Sequence, residues 1–221
     1  MAFATIDVTK GITGTIPVAN GGTGLTSGTS GQFLKFTGST TIASAEDNAA
    51  HVKLEHKNVT SAASTINFEQ KFSATYKNYF LLCSHITPST DNTSIYMRFL
   101  TGTNTPFTTS SYNYSCTDYN NTDTNNSFFG ANVAQARLTR GIDNDNTDVG
   151  RGSFILNIMT PNDTTHPPEY LWHASYRNVT QRPMAVGSGT LNSKSAFTGI
   201  QFYMDSGNVA EFTGTLYGIV E

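Results

Sequence analysis

The chain's 221 residues suit one domain of ordinary size plus an accessory segment. Charged residues make up 13% and hydrophobic residues 37%, with Thr, Ser, Asn and Gly in their place, yet aromatics reach 11%, enough to pack a core and to exclude wholesale disorder. A net charge of −3 with no Lys/Arg cluster argues against a nucleic-acid partner, and no apolar run approaches the length of a spanning helix.

The N-terminus, Met1 to Asp7, has neither a basic stretch nor an apolar one, so no secretory signal is expected and assembly in a cytoplasm is. Residues 1–45 are rich in Gly and Thr, with single apolar residues spaced among them: Ile12, Ile16, Val18, Leu25 and Phe33. A plain flexible linker would hold few such residues. The segment cannot close a core of its own, but several copies around an axis can, with Gly21, Gly22 and Gly24 allowing close backbone approach. Those eight residues are the expected oligomerisation or attachment positions, and a homotrimer is the expected assembly. Gln32 to Gly38 alternates and ends in a turn signal, which predicts a small hairpin. Residues 44–58 carry the chain's one helical signal, with Ser44 placed to cap a turn holding Glu46 and Asp47. Residues 46–63 otherwise read as a connector.

From about residue 64 to 221 the pattern is consecutive strands. Ile66 and Phe68 share one face, Ile95, Met97 and Phe99 another, and Tyr112, Tyr114 and Cys116 a third. Tyr79 to Ile86 is nearly all apolar and predicts a strand buried on both faces. Ser153 to Met159, Glu169 to Asn178, Thr180 to Ser188, Gly199 to Met204 and Gly214 to Val220 complete the set. The polar interval Thr117 to Thr147 contains Phe128, Phe129, Val133 and Leu138, which predict one more strand inside it. The fold class is therefore all-β: a Gly/Thr-rich oligomerising segment followed by a two-sheet β-sandwich, jelly-roll-like in its uneven loops. Cys83 and Cys116 lie in strand-like runs and read as free thiols serving as small core residues.

The words Gly14-Thr15-Ile16-Pro17-Val18-Ala19-Asn20-Gly21-Gly22-Thr23-Gly24 closely resemble a segment that recurs in bacteriophage tail fibres and other virion appendages. Gly199 to Asn208, Gly214 to Ile219, Tyr79 to Asp91 and Met97-Arg98-Phe99 are similar, more loosely, to a β-sandwich module of phage virion proteins. The resemblance implies a structural protein of the virion, often trimeric, with a sandwich displayed on the particle. It implies no particular ligand.

No catalytic constellation accompanies that pattern. Asp118, Asp123, Asp143, Asp145 and Glu169 could supply hydrolytic carboxylates but show no pairing, and no G-x-S-x-G elbow is present. The five histidines, His51 and His56 among them, lack zinc spacing. Asp143 to Asp148 begins like a calcium loop but has Asp148 at the glycine position and Phe154 where the closing Glu belongs, so it reads as a solvated acidic turn. Neither a cofactor nor a metal is expected. Tyr112, Tyr114, Tyr119 and Trp172 are the candidates for a surface that binds a host glycan, since aromatic faces beside Asn and Asp suit sugars. The alternative for each is a core position. The expected function is a short, non-enzymatic tail fibre or appendage for host-surface attachment, located in the virion. A head-decoration, cement or head-fibre protein is the alternative.

Overall fold

A computed structural model describes residues 22–23, 25, 28–30, 32–39, 41–45, 50–120, 125–144, 151–178 and 181–220. All regular structure among the described residues is β, with no helix. The chain divides into two compact units, Met1–Ala49 and Ala50–Glu221.

The first unit contains an antiparallel hairpin of β1 (Phe33–Phe36) and β2 (Ile42–Ala45), in register from Phe33↔Ala45 to Phe36↔Ile42. Its predicted turn is closed by the Thr37 N–H donating to the Thr41 carbonyl at 2.9 Å. Phe33, Leu34 and Phe36 are 63%, 56% and 67% exposed. Two short strands with their large apolar side chains in water are not stable by themselves.

The second unit holds an eight-stranded antiparallel sheet. In chain order its strands are β3 (His51–Val59), β5 (Asn78–Pro88), β8 (Tyr112–Tyr119), β9 (Asn126–Val133), β11 (Gly152–Met159), β12 (Glu169–Tyr176), β13 (Met184–Leu191) and β15 (Val209–Ile219). Their order across the sheet is β3-β15-β5-β11-β12-β13-β8-β9. A five-stranded sheet has the order β10-β6-β14-β4, from β4 (Ile66–Phe68), β6 (Ile95–Gly102), β10 (Ala136–Arg137) and β14 (Gly199–Met204), with β7 (Thr105–Pro106) also on β6.

The two sheets share one sandwich-like core. Phe99 of β6 meets Tyr170 of β12, Phe202 of β14 meets Phe154 of β11, and Phe68 of β4 meets Phe212 of β15, with ring centroids 5.3–6.1 Å apart. Two buried polar tips cross the core as well. The Trp172 Nε1–H donates to the Leu138 carbonyl at 2.8 Å, and the Tyr112 hydroxyl accepts from the Phe99 N–H at 2.8 Å while donating to the Phe107 carbonyl. Trp172 and Tyr170 fit because their register partners on β13 are Gly187 and Gly189. A Cβ on Gly187 would lie 2.5 Å from Trp172 Cη2, and one on Gly189 2.5 Å from Tyr170 Cζ.

Two expectations are corrected. Residues 51–59 form a strand rather than the end of a helix, hydrogen-bonded along β15; residues 46–49 of the same stretch lie outside the described residues. Tyr79 to Ile86 is not buried on both faces: Tyr79, Leu81 and Cys83 point into the core, whereas Leu82 is 42% exposed on the outer face. The near-continuous apolarity arises because the outer face is itself apolar there. Leu82 pairs with Ile155, and Leu171 lies diagonal to Ile155 on the adjacent strand.

Candidate functional site

Of the expected assembly positions, Ile12, Ile16, Val18, Gly21 and Gly24 lie outside the described residues. Gly22 and Leu25 are half-buried, and Phe33 is exposed on the hairpin. The four aromatic ligand candidates do not form a platform. Tyr112 and Trp172 are wholly buried, a correction explained by strand phase: both occupy inward positions and spend their polar tips on backbone groups across the core. Tyr114 is half-buried below a shallow depression of about 540 Å3 floored partly by Gly130 and Gly189. Tyr119, 46% exposed, points from β8 to the opposite face.

The chain enters the second unit at His51 and its last strand ends at Ile219, and these two residues are paired. The opposite end of the unit carries Val59, Ile95, Gly152, Tyr176 and Met184, about 30 Å away for a strand of this length. A polar cavity of about 360 Å3 lies at that far end. Apart from Gly141 and Pro183, each described residue lining it has a polar side-chain group. Asp118 reaches it from the end of β8, where the inward run Tyr112, Tyr114, Cys116 continues by one more place. Asp118 Oδ2 accepts from the Tyr176 hydroxyl at 2.9 Å, and the same hydroxyl oxygen accepts from the Arg140 N–H at 3.1 Å. Asp118 Oδ1 is buried with no hydrogen bond.

Burial holds the Asp118 carboxyl above its ordinary range, against the pull of the Tyr176 hydrogen bond and of Arg140 and Arg137. The Tyr176 hydroxyl is pushed up too, first by burial and then by the Asp118 charge. Arg137 is committed: Nε donates to the Thr139 carbonyl at 2.9 Å, Nη2 to Ser94 Oγ at 2.8 Å, and the guanidinium sits 5.2 Å over the Phe128 ring. Asp205 Oδ1 accepts from the Ser94 N–H at 2.9 Å. The Arg140 guanidinium, by contrast, makes no hydrogen bond or ion pair among the described residues.

A second cavity of about 420 Å3 is lined by Arg151, Arg177 and Arg182 with Ser84, Ser153 and Ser175, and Tyr176 borders both cavities. Five of the chain's six arginines thus line two cavities at one end; the sixth, Arg98, lies 4.6 Å over the Tyr203 ring. In the sequence Asp118 stands out as a carboxylate without a pairing pattern and as a neighbour of Tyr119 in a segment whose residue types suit a sugar, and the arginines do not stand out. The legible signal was Asp118 in the inward phase of an aromatic strand.

The remaining candidates do not assemble. Cys83 and Cys116 are free and buried, with burial pushing the Cys116 thiol up to about 12. Asp143 is buried in the second unit, while residues 145–148 of the acidic turn lie outside the described residues, as does Asp123. Glu169 points outward from β12. Among the described residues no three His, Cys, Asp or Glu side chains gather as a metal site. No family model, no curated protein and no solved structure matches this chain.

Proposed function

We propose that the chain is a non-enzymatic structural protein of a phage virion, a short trimeric fibre or appendage that presents a jelly-roll-like sandwich for host-surface attachment. The observation that carries this reading is the polarity of the second unit. The chain comes in and its last strand finishes at one end, and the arginine-lined cavities open at the other. A domain held at one end and equipped with hydrogen-bonding groups at the other is built for display. The Gly/Thr-rich segment supplies the holding part, and the exposed Phe33, Leu34 and Phe36 of its hairpin supply apolar surface that sister chains would cover. The outer strip of Leu82, Ile155 and Leu171 is further surface of that kind.

Light scattering on the intact chain tests the assembly: three copies of 23.9 kDa are expected, and a stable monomer refutes it. Locating and counting the chain in a particle tests the role. Tens of copies on the tail fit a fibre, whereas hundreds on the head shell would replace this reading by a decoration or cement protein.

A further inference from the structure

We propose that the cavity lined by Asp118, Arg140 and Asp205 is a binding site for one uncharged sugar residue. The inference rests on the display reading for the origin of that sugar, a surface glycan, but its chemistry comes from the cavity. Five of the lining side chains are amides, Asn126 and Gln181 among them. An amide donates and accepts side by side, as a sugar hydroxyl does, so such a lining answers a polyol and has little to offer an apolar ligand.

The charges narrow the class. Among the described lining residues Arg137 and Arg140 face Asp118 and Asp205, two of each sign. A metal ion entering this space meets two guanidinium groups, and a polyanion meets two carboxyls, so the balance favours a neutral guest. Size agrees: about 360 Å3 is near the lower limit of small-molecule sites and holds one pyranose ring with a few waters.

Unspent bonding capacity marks the place where the guest would be read. Among the described residues the Arg140 guanidinium spends none of its donor fork on a hydrogen bond. Asp118 Oδ1 lies buried without a partner although Oδ2 is satisfied, and a buried oxygen left unpaired is destabilising until a donor completes it. Among the described lining residues no aromatic face is offered, since Tyr176 is buried and its hydroxyl is already bonded on both sides. Recognition here runs through hydroxyl geometry rather than ring stacking.

Saturation-transfer NMR on the full chain tests this, with glucose, galactose, mannose, N-acetylglucosamine, glucuronic acid and sialic acid as probes. At least one neutral sugar should give signal, and Arg140→Ala should reduce its affinity tenfold or more with the CD spectrum unchanged. Asn126→Ala is the second variant, at a residue on the edge strand, and should also weaken binding. Binding of the charged sugars alone overturns the uncharged class. Binding unchanged in both variants overturns the location, and no signal from any probe overturns the site. Light scattering of the same sample keeps the two readings apart: a trimer that binds no sugar discards only the cavity, and a monomer that binds one discards only the assembly.

Discussion

Adding a single methyl group at Gly187 should destabilise the second unit, and the reason lies in one ring. Trp172 is the chain's only tryptophan and is wholly buried. Its indole is tied to the Leu138 carbonyl at 2.8 Å and flanked by Tyr170 and Tyr114, with centroids 6.0 and 6.5 Å away. A Cβ on Gly187 would stand 2.5 Å from Cη2, at least about 1 Å inside normal carbon contact, and the ring has no empty side to move into. Overpacking of this kind costs about 1–3 kcal/mol, offset by about 0.4–1 kcal/mol from restricting the unfolded chain. Gly187→Ala should therefore lose about 1–2 kcal/mol. With a urea slope of about 2 kcal/mol/M, the midpoint falls by about 0.5–1 M at fixed chain concentration. Far-UV CD follows the transition, because the companion variant Trp172→Leu removes the fluorophore. In that background the clash is absent, and Gly187→Ala should become neutral or stabilising, a reversal that only direct contact produces. Gly102→Ala, whose Cβ would meet Thr105 at an ordinary 3.5 Å, serves as the control with no loss expected. A Gly187→Ala midpoint at or above that of the parent refutes the packing argument.

Replacing Phe33 and Phe36 together by Ser should turn the expected trimer into monomers, since covering a phenyl group contributes about 1.5–3 kcal/mol; light scattering reads the mass, and an unchanged oligomer removes the hairpin from the interface. Asp118 should make the fold less stable as pH rises. Its folded-state pKa lies above the ordinary 3.8, so its contribution is fully present below that value and is lost as pH climbs toward the folded pKa. Asp118→Asn should flatten that fall and be the more stable form at neutral pH in urea titrations; a variant less stable than the parent at pH 7 would show that the carboxylate is needed. The affinity of a neutral sugar should hardly change between low and physiological salt, and a steep decline would show that the guest is charged.

Strands were legible wherever one face is apolar and the other polar. Ile95, Met97 and Phe99 fixed the phase of β6, and Ile66 and Phe68 that of β4. The pattern misled where both phases are apolar, as at Phe80 and Leu82 of β5, because alternation then carries no information about which face meets water. It misled again at β3, which among the described strands is an edge strand bonded only to β15 and whose residues are all exposed or half-buried and show little contrast. Tyr112 and Trp172 exposed a different limit. Residue types that suit a sugar platform are also those of a sandwich core, and only the register with Gly187 and Gly189 decides between the two. The polar cavity draws on residues from Asn92 to Asp205, brought together by the ends of strands in both sheets. No local window contains it, and the inward phase of Asp118 was its one trace.

The placing of cations carries the functional argument further than their number does. The chain has seven lysines and six arginines. None of the described lysines lines either far-end cavity, whereas five arginines do. Solubility alone would not sort them this way, because a lysine serves it as well as an arginine. The guanidinium differs in its flat, rigid fork of donors and its weaker hydration, which suit it to directional hydrogen bonds at a partly desolvated surface. A protein this poor in charge that gathers its arginines around two adjoining cavities, opposite the paired His51 and Ile219, has concentrated its most selective hydrogen-bonding groups at one end of the second unit. The same placing sets the two cavities different tasks. In one, two carboxyls accompany two arginines; in the other, the described lining sets three arginines among three serines, Gly152 and Tyr176, with no carboxylate among those residues.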